Sequence, residues 1–256
     1  EMCIRDRAYR IWYNGIWSSW APYSIPFTFN ETCQHYLEVN ATDLLGNNRT
    51  ENITFYVDDT PPDTSDLEVI TGHSYDNGLW ITTSTDISFK LTPDPDKGCN
   101  GGVGLDKIKY RIWYDSNDDG SFADETPTSW IDYTPDSTFN IPETCYHKIE
   151  WYGIDKLGNE ETPHNEQVHY VDDTPPDTSN ILKITGYNYT DGVNTWVTTS
   201  TSFFFDLTPD PDKGCNGGVG LYRIKYRIWK DLDNDGFGDE STPSWHYRTT
   251  SSPFNT

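Results

Sequence analysis

The chain has 256 residues, with 41 acidic against 18 basic side chains, a formal net charge of −23, and 15% aromatic residues. Such a field repels nucleic acid and anionic membranes and favours divalent cations or solubility at high salt. No apolar run approaches the length of a transmembrane helix, so no membrane contact is expected within these residues.

Glu1 to Arg7 match nothing elsewhere in the chain, and their back-translation is compatible with the end of a transposon adapter used in DNA library preparation. Residues 1–7 are therefore set apart as a sequencing artefact. Tyr9-Arg-Ile-Trp12 returns at 110–113 and at 226–229. Val-Asp-Asp-Thr-Pro-Pro-Asp-Thr-Ser stands at 57–65 and 171–179, and residues 92–105 recur letter for letter at 208–221. The chain reads as a tandem array of one small domain: 8–60 is the C-terminal part of a copy, 61–174 a complete copy, and 175–256 the N-terminal part of a third.

The front copy carries four of the five Asn-x-Ser/Thr sequons, Asn30, Asn40, Asn48 and Asn52, with Asn188 the fifth. Their crowding fits an exported, glycosylated surface, although a Thr-rich chain produces sequons by chance. Copies meet at Thr-Pro-Pro. The paired prolines force Thr60 and Thr174 into extended backbone, which makes a short, semi-rigid joint.

In the complete copy short alternating segments dominate and no helical period persists, so the chain is all-β. Strands are expected at Leu67–Thr71, Trp80–Thr83, Ile87–Leu91, Lys107–Tyr114, Ser129–Tyr133, Thr138–Ile141, Cys145–Ile154 and Gln167–Val171. Along the fourth, Ile108, Tyr110 and Ile112 share a core face while Lys109, Arg111 and Trp113 point the other way.

Between the fourth and fifth strands lies an acidic hairpin with Asp115, Asn117, Asp119, Gly120, Asp124 and Glu125, and the rear copy offers Asp231, Asp233, Asp235, Gly236, Asp239 and Glu240. Carboxylates at alternate positions around a glycine turn suit hard, oxygen-seeking Ca²⁺. The rear loop resembles those of thrombospondin type 3 repeats more than an EF-hand, because Thr242 stands where the bidentate Glu would be. In the front copy Tyr13-Asn-Gly-Ile16 closes the same hairpin with no acidic residue, so the insertion adds something the fold does not need.

Cys145-x-His147-x-Ile-Glu, the turn Asp155-Lys-Leu-Gly-Asn159 (Asp43-Leu-Leu-Gly-Asn47 in front) and Tyr-Val-Asp-Asp-Thr-Pro-Pro together resemble the immunoglobulin-like or fibronectin-type-III-like repeats of archaeal and bacterial surface and secreted proteins. The resemblance covers 8–256 and implies tandem β-sandwiches with truncated terminal copies. It implies no particular activity.

Besides Cys3, four cysteines remain: Cys33, Cys99, Cys145 and Cys215. In a sandwich of the resembled kind Cys99 and Cys145 lie at opposite ends, about 33 Å apart along roughly ten residues of strand, too far for a disulfide. End-to-end stacking instead sets Cys33 against Cys99 and Cys145 against Cys215, as clamps between copies. The pair Cys99–Cys145, with a long loop folding back, remains the alternative. In a rod of this kind the acidic hairpin and the linker acids Asp172, Asp173 and Asp177 crowd the same joint as Asp210, Asp212 and Cys215, which invites a cation or a disulfide there.

Arg-x-Trp recurs outward at Trp12, Trp113 and Trp229, where a sugar could stack or where Arg and Trp could simply cover the sheet. His35 and His147, each two residues after a cysteine, read as packing and not as zinc ligands. Motifs for nucleophilic, metalloprotease or phosphate chemistry are absent from the sequence. The expectation is a non-enzymatic structural or adhesive stalk of an extracellular or cell-surface protein, stabilised by Ca²⁺, with neighbouring repeats and surface glycans or proteins as partners. The alternative is a carbohydrate-binding accessory array of a secreted hydrolase.

Overall fold

A computed structural model describes residues 4–208, 210–233, 236 and 243–249. The fold is all-β, and its sheets are almost wholly antiparallel, in the manner of a β-sandwich. Among the described residues no helix is long and apolar enough to cross a membrane.

The front segment forms β1 (Ile4–Tyr13), β2 (Ile16–Trp17), β3 (Ala21–Pro22), β4 (Cys33–Asp43) and β5 (Asn48–Val57), ordered β2-β1-β4-β5 with β3 also on β1. β1 starts earlier than expected, at Ile4, within the segment set apart as an artefact. Ile4 pairs with Asp43 and Arg7 with Ala41. Backbone pairing is indifferent to side chains, so β4 recruits whatever chain lies beside it.

The middle segment comprises β6 (Glu68–Thr71), β7 (Ser74–Tyr75), β8 (Trp80–Ile81), β9 (Asp86–Phe89), β10 (Leu105–Tyr114), β11 (Ile131–Asp132), β12 (Cys145–Asp155) and β13 (Asn165–Val171). Six of these form one sheet, β11-β10-β12-β13-β8-β7, in which β8 runs parallel to β13. β6 and β9 form the opposite layer, extended by a bridge from Ile87 to Phe139. Between the layers lie Ile87, Phe89, Ile108, Tyr110, Ile149 and Trp151, all buried. The expected core face of β10 is the observed one, with Ile112 packed against the same cluster. His169 joins the layers, its Nδ1 2.8 Å from the Gly78 carbonyl and its Nε2 3.1 Å from the Glu68 carboxylate.

The rear segment contributes β14 (Leu182–Thr185), β15 (Asn188–Thr190), β16 (Thr195–Val197), β17 (Ser202–Phe205), β18 (Ile224–Tyr226) and β19 (His246–Arg248), paired β14-β17, β15-β16 and β18-β19.

Candidate functional site

The informative places are the two joints where one sequence copy meets the next. Cys33, at the start of β4, is bonded to Cys99, and Cys145, at the start of β12, to Cys215, with Cα separations of 5.1 and 5.0 Å. Cys99 and Cys145 therefore belong to different disulfides, which excludes their pairing. Both strand-starting half-cystines carry φ of 87°, a conformation that side chains rarely adopt. Two disulfides mark an oxidising environment.

Each partner cysteine sits in a glycine-rich loop with the same backbone path: Gly98 has φ −56° and ψ 173°, Gly214 φ −57° and ψ 171°. The glycines are required by what packs on them. A Cβ on Gly98 would lie 2.4 Å from Asp58 Oδ1, and one on Gly214 2.4 Å from Asp172 Oδ1. Asp58 and Asp172 are the linker acids, and each accepts across the joint, from the Val103 amide at 2.9 Å and the Val219 amide at 3.0 Å. The linker is held again beyond its prolines, where the Asp63 and Asp177 amides donate to the Pro95 and Pro211 carbonyls at 3.0 and 2.8 Å. Past the first linker Thr64 is buried. Its amide donates to Glu161 at 2.9 Å, and its carbonyl accepts from Trp151 Nε1 at 2.9 Å.

At the first joint three buried carboxylates converge. Ligand atoms of Asp58, Asp96 and Asp155 lie within 4.8 Å of one another. Asp96 is held in its loop by the Gly98 amide at 2.9 Å and the Gly104 amide at 2.7 Å. Asp155 opens the turn after β12 and accepts from the Leu157 and Asn159 amides at 2.8 and 2.9 Å. Burial opposes the ionised form of Asp155, but the bonds from Asn159, Leu157 and Gly158 outweigh it and hold its pKa below the ordinary 3.8. Asn159 ties the turn to the linker through Nδ2, 3.0 Å from the Asp58 carbonyl. The second joint repeats the pair, with Asp212 accepting from Gly214 and Gly220 at 3.1 and 2.8 Å.

The expected calcium residues are arranged differently. Asp115 is buried, and its carboxylate closes the hairpin by accepting from the Asp119 and Gly120 amides at 3.2 and 2.7 Å. Asn117 Nδ2 donates to Asp119 and to Asp124, both at 3.2 Å. Among the described residues these acids do not close into a three-carboxylate group as Asp58, Asp96 and Asp155 do. In the rear loop Asp231 accepts from the Gly236 amide at 2.9 Å, matching Asp115 and Gly120. Asp233 is also described, whereas Asp235 and Asp239 lie outside the described residues. The hairpin does reach the second joint, since the Asp118 carboxylate is 3.7 Å from the Cys215 sulfur.

The Arg-x-Trp positions become stacks. Arg111 lies 4.9 Å from the Trp113 ring and 4.4 Å from Trp130, and Arg10 and Arg227 lie between Trp17 and Trp20 and between Trp229 and Trp245. Trp113 also donates to Glu150 at 2.9 Å and meets the Lys148 ammonium at 4.8 Å, while Trp12 pairs with Trp17 and packs edge-on to Tyr36. Cations and neighbouring rings thus cover part of this sheet face, while Trp229 remains exposed. His35 and His147 are fully buried, stacked on Tyr13 and Tyr114. Of the sequon asparagines, Asn30, Asn48, Asn52 and Asn188 are exposed, and Asn40 is half-buried with its Nδ2 donating to Thr50 at 2.8 Å.

No protein-family model matches the chain, and no curated protein matches it.

Proposed function

We propose that the chain is part of a non-enzymatic structural or adhesive stalk of an extracellular or cell-surface protein, in which immunoglobulin-like copies follow one another through joints stiffened by disulfides and calcium. The observation that carries the reading is the pair of disulfides, each tying the start of a strand in one copy to the glycine loop of the next. A cross-link placed there adds little to the core of either copy, but it removes the freedom of one copy to swing against the other. Linker bonds to Val103, Pro95, Val219 and Pro211 act in the same direction.

Calcium is the cation that suits Asp58, Asp96 and Asp155, which offer hard oxygen donors close enough to share one ion. Without a cation three buried negative charges at this spacing repel one another.

Small-angle scattering tests the stalk reading. The oxidised chain should keep one maximum dimension, and reduction or removal of calcium should broaden the distance distribution. Identical profiles in all three states would sink it. Calorimetric titration separates the calcium component: Asp96→Asn should remove binding if the ion sits at the first joint, and Asp231→Ala if it sits in the rear hairpin. An absence of heat at about 1 mM Ca²⁺, a concentration typical of extracellular modules, would leave the disulfides as the stiffening element alone.

A further inference from the structure

Each strand-starting cysteine of the clamps is bracketed by the same two ionisable side chains, Glu31 and His35 around Cys33, and Glu143 and His147 around Cys145. Both imidazoles are 0% exposed. In each, Nδ1 lies 3.2 Å from the carbonyl of the half-cystine two residues earlier. A carbonyl only accepts, so Nδ1 carries the proton and Nε2 of the neutral ring is a bare acceptor. That second nitrogen is buried without a hydrogen-bond partner in both places. The arrangement is built within a single copy, and the chain shows it twice.

The groups that face His147 leave Nε2 unsatisfied. Tyr114 of β10 stacks on the ring at 4.8 Å. Across the ladder on β13 stands His169, whose own nitrogens both face acceptors, the Gly78 carbonyl and the Glu68 carboxylate of β6. Glu143, exposed in the loop before β12, acts on the ring by charge alone. Its counterpart Glu31 lies 3.7 Å from His35 Nε2, beyond hydrogen-bond reach. Around His35 the remaining neighbours are Tyr13 and Phe29, with Phe55 in the place of His169. Burial holds the His147 pKa below its ordinary 6.5 and His169 adds to this, against the opposing pull of the Cys145 carbonyl and of Glu143.

The ring sits where both sides of the clamp meet. It bonds the carbonyl of Cys145, a residue at φ of 87°. It also stacks on Tyr114, which leads into the hairpin closed by Asp115, and Asp118 of that hairpin touches the Cys215 sulfur.

We propose that His147 is an acid-sensitive latch on the second joint: a proton taken from solvent onto Nε2 drives the ring out from between Cys145 and Tyr114 toward Glu143, and the joint loosens. In an opened joint the ring regains its ordinary pKa, so the closed state has the lower one. Such a group stabilises the closed joint fully above pH 6.5 and loses that contribution as pH falls toward the closed-state value. One proton more on the open state changes the equilibrium about tenfold per pH unit. The chain is therefore stiff in neutral surroundings and looser in acid ones. The latch rests on the reading of the joint as the stiffening element, which reduction tests separately.

The experiment is amide hydrogen exchange of the whole oxidised chain from about pH 7.5 to about pH 5.5, the range in which histidine changes charge, corrected for intrinsic rates, with the imidazoles followed by NMR. His147 should titrate below 6.5. Protection of the Val219 amide should fall with it, by up to about tenfold per pH unit, while Ile149 keeps its protection. His147→Phe retains a ring against Tyr114 and should hold Val219 constant within about twofold over the same range. Glu143→Gln changes an exposed residue, removes the charge that favours the imidazolium, and should move the loss to lower pH. A His147 midpoint at or above 6.5, a Val219 loss that persists in His147→Phe, or an equal loss at Ile149 would overturn the proposal. If His147→Phe does not fold, a Glu143→Gln profile identical to the wild type would do so. Reduction at about pH 7.5, where the ring is neutral, should loosen Val219 without any titration. If reduction acts and acid does not, the latch falls and the joint reading stands; if neither acts, both fall.

Discussion

Replacing Cys145 and Cys215 by serine isolates what the second clamp contributes. The cross-linked residues are 70 apart, and chain-entropy reasoning assigns about 4 kcal/mol to closing a loop of that size. If the middle sheet stays folded, the loop to be closed shrinks to the stretch from Val171 to Cys215. The dependence is logarithmic, so the figure hardly changes. Against this loss stand the bonds that the variant keeps across the joint, Val219 to Asp172 and Asp177 to Pro211, each worth about 1 kcal/mol net. They are too few to replace the disulfide. The joint should open while the middle core remains shut.

Amide hydrogen exchange reads this locally. Protection of the Val219 and Asp177 amides should fall by up to about a thousandfold, the equivalent of 4 kcal/mol, while Ile149 in the middle of β12 keeps its protection. If Val219 exchanges within about tenfold of the wild type, the disulfide is not what holds the joint. If Ile149 loses protection equally, the clamp supports the core of the middle segment and not the joint.

Two further outcomes follow from hydrogen-bonded carboxylates, one buried and one half-buried. Glu161→Ala strips the partner from the Thr64 amide and hydroxyl, from the Gly153 amide at 3.0 Å and from Asn165 at 2.9 Å. Stranding these donors should cost about 3–5 kcal/mol in a denaturant melt, and a loss below about 1 kcal/mol would show that water replaces the carboxylate freely. For Glu150, burial opposes ionisation, yet bonds from Arg111, His164 and Trp113 overcome it and bring the pKa from 4.5 down to about 2. A depressed pKa stabilises the fold above the unfolded value and loses that contribution as pH falls through the folded one. The stability gap between wild type and Glu150→Gln should thus be full above pH 4.5 and close toward pH 2, and a gap independent of pH would contradict the bonding scheme.

The strands were legible wherever a face is buried. Alternation along β10 and β12 identifies both, because a one-residue slip would turn Ile108, Tyr110 and Ile149 outward. β8 falls within the expected strand Trp80–Thr83, but its hairpin partner β7 escaped, since the turn between them depends on Asp76 and Asn77 at φ of 52° and 55°, left-handed backbone that only a reading of Asp-Asn-Gly as a turn would have found. Residues 138–141, expected as a strand, supply a single bridge at Phe139, and the apolar pattern there reflects Phe139 and Ile141 packing inward without ladder partners.

The joint was legible in its sulfur chemistry and opaque in its carboxylates, for one physical reason. A disulfide joins two points, so the resembled sandwich topology and the length of a strand could favour the two clamps over Cys99–Cys145, which stayed open as the alternative until the structure excluded it. A group such as Asp58, Asp96 and Asp155 is assembled from a linker, a loop and a turn, and no sequence spacing records that they converge. The acidic hairpins drew attention because their carboxylates alternate along a short stretch, yet there the backbone amides of Asp119 and Gly120 take up the Asp115 carboxylate. What the sequence did hold was repetition. Asp172 and Asp212 match Asp58 and Asp96, and Asp43, in a turn that accepts from Leu45 and Asn47 at 2.8 Å, matches Asp155. A turn alone tolerates Asn, Ser or Gly at such positions. Acid repeated at three separated places is more than turns require, and at the first joint Asp58, Asp96 and Asp155 show the three places meeting.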